Sequence, residues 1–159
     1  MPTVEKIYRI VEIPINLQIP IIIILTLIFS GEFLKKVYAF YILIGLFFLP
    51  VFFDGGSLGY IITPNFGYLI GIFPLISIIN VLNYKNNFSF IKFMKYALLS
   101  LIMMHLTGLI YLIVQLLIFN KQNLIFYNIG LFTLSKFPFQ IVTLFPIFLS
   151  IRLINKLKD

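Results

Sequence analysis

Tyr96-Ala97-Leu98-Leu99-Ser100-Leu101-Ile102-Met103-Met104-His105-Leu106-Thr107-Gly108-Leu109-Ile110-Tyr111-Leu112-Ile113-Val114-Gln115-Leu116-Leu117-Ile118-Phe119-Asn120 contains no Asp, Glu, Lys or Arg, and its reading decides the fold. A helix rises about 1.5 Å per residue, so about 20 residues cross a hydrocarbon core about 30 Å thick. This run is long enough by itself. Backbone N–H and C=O groups in lipid must pair within the segment, and strand-like alternation is missing, so a helix is the form left open.

The same pattern recurs along the chain. Residues 13–31, 37–53, 55–84 and 137–151 are also free of charged side chains. Of the 159 residues 61% are hydrophobic and 11% charged, against about 25% charged in soluble domains. So little charge cannot cover a water-facing surface, and the outside must be wetted by lipid. The sequence therefore predicts an all-α integral membrane protein: one transmembrane domain over residues 1–159, a compact bundle of about five transmembrane helices. Spans are expected near 14–31, 36–53, 64–83, 95–119 and 137–154, after a polar N-terminal segment 1–13. Residues 122–135 are uncharged but too short to span alone, so 120–136 is expected to be an external loop or short interfacial helix. The N-terminus is not read as a signal peptide. Its apolar run is long, and Ser30-Gly31-Glu32 makes a poor small-residue cleavage site.

Lys and Arg bias sets the orientation. With five spans one side carries Lys35, Lys36, Lys85, Lys92, Lys95, Arg152, Lys156 and Lys158, and the other Lys6, Arg9, Lys121 and Lys136. The first side is expected to be cytoplasmic in a multi-pass plasma-membrane protein, with the C-terminus inside and the loops at 54–63 and 119–136 outside. A net charge of +7 then has anionic lipid as its partner, and nucleic acid is not needed.

The chemical inventory is short. The acids are Glu5, Glu12, Glu32, Asp54 and Asp159, His105 stands alone, and Cys is absent. Disulfides and thiolate sites are excluded, the acids are too scattered for a metal site, and no acid occurs between Asp54 and Asp159 to serve a triad or an acid pair. No catalytic residue, metal site or cofactor is expected. His105 lies mid-span, where the residues leave two readings open: a neutral imidazole bonding a neighbouring helix, or a relay or ligand contact. Gly67 and Gly71 share one helical face, which suits close helix packing, with ligand contact as the alternative.

The least generic stretch runs from Leu49 to Leu69. Pro50 ends or kinks its helix, Gly55, Gly56 and Gly59 permit unusual backbone, and Pro64 can open the next helix. Such irregular backbone is either a plain connecting loop or part of a small-molecule site at the outer face.

This stretch resembles the BioY family, the substrate-binding S components of energy-coupling-factor biotin transporters. Matching pieces are Pro14-Ile15-Asn16-Leu17-Gln18, Gly31, Tyr41-Ile42-Leu43-Ile44-Gly45, Leu49-Pro50-Val51-Phe52, Gly55-Gly56, Pro64 and Gly67-Tyr68-Leu69, and weakly Pro138-Phe139. The resemblance is strong over about residues 14–75. It implies biotin uptake by a bundle that holds biotin near its outer face and docks on a transmembrane coupling protein with two ATPase subunits. Without a phosphate-binding Gly-rich loop, this chain is not the ATPase.

The resemblance implies a substrate site lined by Gln18, Asp54, Gly55, Gly56, Ser57, Asn65 and Tyr68, with Thr143 opposite. Gln18, Ser57 and Asn65 would meet polar ends of the ligand and Tyr68 an apolar ring system. Asp54 has the competing reading of a solvated loop acid. Two features depart from the family. Its complete first helix is missing before Pro14, so a six-helix fold becomes five, through a misplaced start or with impaired docking. The ligand-binding Asp and Lys of its last helix fall on Thr143 and Pro146, a loss of about 1.5–3 kcal/mol if a charged hydrogen-bond partner is gone. The sequence thus reads as a BioY-type S component with an incomplete functional set. An S component for another small vitamin-like molecule, or a degenerate membrane protein without ligand, are the alternatives.

Overall fold

The structure is a computed structural model that describes residues 17–52, 56–82 and 89–156. Every regular element among them is helical: α1 (Gln18–Ile28), α2 (Gly31–Phe47), a 3-10 turn (Leu58–Ile62), α3 (Phe66–Ile70), α4 (Ile72–Ile79), α5 (Phe90–Ile118), a 3-10 turn (Gln122–Leu124), α6 (Ile125–Ile129), a π turn (Gly130–Leu134) and α7 (Phe137–Lys156).

Local chemistry sets several ends. Ser30 Oγ accepts the Phe33 N–H and Ser89 Oγ the Lys92 N–H, capping α2 and α5. Asn120 takes φ 54° just after α5. The Lys121 N–H then reaches the Leu116 carbonyl at 2.8 Å and the Asn120 N–H the Leu117 carbonyl at 3.2 Å, so an αL residue closes the helix by satisfying two orphan carbonyls.

Helices α1, α4, α5 and α7 form a closed ring in which each packs on the next, with α2 laid outside against α4. The ring encloses Ile23, Leu75, Ile76, Ile79, Phe93, Ala97, Leu101 and Leu144, all essentially inaccessible. Outward faces remain apolar: Val142 is 71% and Ile91 79% exposed, which suits lipid and not water. Lipid gives helices no hydrophobic reason to associate, so close packing must hold them. A Cβ on Gly67 would overlap the Tyr111 side chain, one on Gly71 would sit 2.5 Å from the Met104 carbonyl oxygen, and one on Gly108 would overlap the Tyr68 ring. These contacts descend α5 as they ascend α3 and α4, so the two run antiparallel. At the other end of α4, Asn80 Oδ1 accepts the Gly31 N–H at 2.8 Å, tying it to the start of α2.

Two helical runs are long and apolar enough to cross a membrane, Phe90–Ile118 and the continuous Gln122–Ile154, while Gln18–Ile28 and Phe66–Ile79 are shorter. Helix ends do not coincide with the charge-free windows. Helix α2 takes in Lys35 and Lys36, and α5 takes in Lys92 and Lys95, because lysine stems can run along a helix end with their ammonium in the interface. After the break at Asn120 and Lys121, residues 122–136 lead without interruption into α7. Residues 1–16, with the N-terminal segment 1–13 and the Pro14–Asn16 part of the first expected span, lie outside the described residues.

Candidate functional site

The loop between α2 and α3 folds back onto the end of α2. The Phe52 ring occupies the space a side chain at Gly45 would need, and a Cβ on Gly56 would meet the Gly45 and Leu49 carbonyl oxygens and Pro50 Cα. Both positions are glycine because ring and backbone pack on them directly. Aromatic rings then link the loop to the bundle: Tyr41 to Phe52 at 5.6 Å, Phe52 to Tyr60 at 4.5 Å, Tyr60 to Phe66 at 6.4 Å and Phe66 to Tyr111 at 5.9 Å. The Tyr111 hydroxyl donates to the Ile61 carbonyl, and Gln115 Nε2 donates to the Ile62 carbonyl at 2.5 Å. Two side chains of α5 thus latch the 3-10 turn.

Ser57, exposed in this loop, has φ 148° and ψ 171°, a region held almost only by glycine, and its Oγ accepts the Gly59 N–H. A side chain kept in such backbone marks a site where the surroundings over-determine the conformation.

A second polar cluster lies halfway along α5. His105 and Gln140, both buried, join α5 to α7 with Nε2 and Oε1 2.8 Å apart. Gln140 Oε1 only accepts, so Nε2 carries the proton and Nδ1 keeps a lone pair. Nδ1 is buried without a partner among the described residues. Phe137 and Tyr68 stand edge-on to the imidazole at 5.2 and 5.7 Å, and the Tyr68 and Thr133 hydroxyls are 2.7 Å apart. Thr133 belongs to the π turn, and π turns concentrate at functional positions. Lys136, assigned from the sequence to an outer loop, sits one residue before Phe137, half-buried, with Nζ 5.2 Å from the centre of the Phe132 ring.

The expected site residues divide between these places. Tyr68 is in the inner cluster. Thr143 reaches it through its helix, its hydroxyl donating to the Gln140 carbonyl at 2.7 Å. Gly56 and Ser57 lie with the folded-back loop. Gln18 begins α1 and Asn65 directly precedes α3, both half-buried. Asp54 and Gly55 lie outside the described residues. Gln140, Thr133 and Lys136 were not among the expected site residues. Gln140 stands out as a lone amide in an uncharged run and could have been paired with His105; Thr133 carried no such signal. Other hydroxyls in the helices, Thr26, Ser77, Ser100, Thr107 and Ser150, donate to carbonyls of their own helix, which satisfies them without a ligand.

Among comparisons with known proteins, a family model described as the BioY family matches residues 3–158. No curated protein and no solved structure matches the chain.

Proposed function

The chain belongs to the BioY family, and we propose that it is the substrate-binding S component of an energy-coupling-factor transporter that takes up biotin across the plasma membrane. The family is one of transporter components and not of enzymes. The observation that carries the finer reading is a family match over nearly the whole chain, combined with buried polar groups inside an apolar helical bundle.

In this reading Gln18, Asp54, Gly55, Gly56, Ser57, Asn65, Tyr68 and Thr143 line the substrate path, and Gly67, Gly71 and His105 serve helix packing. The chain crosses the membrane five times with its C-terminus in the cytoplasm. A transmembrane coupling protein and two ATPase subunits supply the energy. Six described cations support the orientation, since Lys35, Lys36, Lys92, Lys95, Arg152 and Lys156 all lie near the helix ends on one side of the bundle.

A different small vitamin-like ligand is the second reading. It is favoured by Thr143, whose hydroxyl proton is already engaged by its own helix, and by Pro146, which sits inside α7 at the family's Lys position.

Equilibrium binding of labelled biotin to the purified chain, beside a Gln18→Ala, Asn65→Ala double variant, tests the proposal. Saturable binding at micromolar concentration or below, lost in the variant, is expected. No binding to a folded chain removes biotin as substrate and leaves the family assignment standing.

A further inference from the structure

We propose that His105 Nδ1 is a substrate-binding atom, accepting a ring N–H of the kind a cyclic urea or cyclic amide carries. The inference rests on the uptake reading above and adds to it a contact inside the bundle.

Three observations converge on this atom. Gln140 fixes the tautomer from the far side of the ring, leaving the Nδ1 lone pair buried and unpartnered among the described residues. Buried acceptors are nearly always satisfied, so an open one points to a missing donor. The imidazole is walled by the edge-on rings of Phe137 and Tyr68, so apolar rings flank a polar side chain whose acceptor is left open. Beside it the run that leads into α7 carries a π turn whose Thr133 is bonded to Tyr68, the second ring of that wall. A shift of that turn is the simplest way to admit a donor to Nδ1.

Position explains why this atom takes the role and Thr143 does not. Thr143 faces the same cluster only through the Gln140 carbonyl. Among the described residues the other buried side-chain acceptor without a partner, Gln115 Oε1, belongs to the side chain that latches the outer 3-10 turn. Neutral imidazole offers an acceptor with no net charge, which discriminates for ligands presenting an N–H and against those presenting only carbonyls.

The chain has a single histidine, so 15N-histidine labelling with a histidine-free epitope tag gives one pair of ring signals. The protein is placed in lipid nanodiscs and titrated with biotin. The expected result is an Nδ1 resonance that moves as a hydrogen-bonded acceptor does, along the same saturation curve as radiolabelled biotin, with Nε2 still protonated. Saturable biotin binding with an unmoved Nδ1 signal overturns the inference and leaves the uptake reading intact. Absence of biotin binding in the same sample overturns the uptake reading and this inference with it. As a second measurement, the His105→Phe, Gln140→Leu double variant removes both polar partners together and is expected to keep its unfolding midpoint while losing at least tenfold in biotin affinity. Unchanged affinity in that variant also overturns the inference.

Discussion

Gly108 of α5 lies directly under the ring of Tyr68, so close that any Cβ there would overlap Tyr68 Cδ1. The same side chain reaches the Thr133 hydroxyl and stands edge-on to His105. The smallest residue on α5 therefore sets how deep the tyrosine sits in the bundle, and with it the geometry of the whole inner cluster.

Substitution of the interface glycines is expected to separate by what each would strike. Gly71→Ala drives a methyl against the Met104 backbone carbonyl, which moves only with its helix. Gly108→Ala meets a side chain, which can tilt. Overpacking costs about 1–3 kcal/mol, and Gly71→Ala should lie at the upper end. Unfolding in detergent followed by circular dichroism checks the order; a costlier Gly108→Ala would contradict the packing described.

Ser57→Gly is expected to stabilise the fold and weaken binding at once. Glycine accepts φ 148° without strain, a gain of about 1 kcal/mol, while the lost hydroxyl removes a polar contact from the proposed site. Opposite signs in the unfolding midpoint and in biotin affinity are the readout. Equal affinity would place Ser57 outside the site.

Removing the latch on the 3-10 turn should free it without unfolding the bundle. Tyr111→Phe with Gln115→Leu deletes the two donors to the Ile61 and Ile62 carbonyls, yet the Tyr60–Phe66 and Phe52–Tyr60 ring contacts remain. Hydrogen–deuterium exchange should rise over Leu58–Thr63 and stay unchanged over Phe90–Leu101.

How much of this was legible beforehand depends on range. Helical character and the family resemblance came from local features: charge-free runs, turn residues and short motifs between Pro14 and Leu69. The family match extends the resemblance to residues 3–158. Helix ends were less legible, because Lys36 and Lys95, which close the charge-free windows, lie inside α2 and α5. The inner cluster was least so. His105 and Gln140 are 35 positions apart, and Tyr68 and Thr133 are 65 apart. Such pairs exist only once α3, α5 and α7 have docked, and the π turn that brings Thr133 to Tyr68 has no composition of its own.

Orientation has a direct test, because the chain contains no cysteine. Lys121→Cys and Lys95→Cys place single thiols at exposed positions beyond and near opposite ends of α5. In intact cells a membrane-impermeant maleimide should label the first and spare the second until the membrane is opened. Reversed labelling would invert the proposed topology.

The ring sequence from Tyr41 through Phe52, Tyr60 and Phe66 to Tyr111 also gives the protein an optical handle. The chain contains no tryptophan, so its near-ultraviolet dichroism arises from tyrosine and phenylalanine alone. Neighbouring rings in this sequence lie 4.5 to 6.4 Å apart, near enough for their transitions to couple, and two of the five belong to the loop itself. A loop lifted off the end of α2 would decouple them. The unlabelled protein thus carries its own chiral absorption signal for whether that loop is seated.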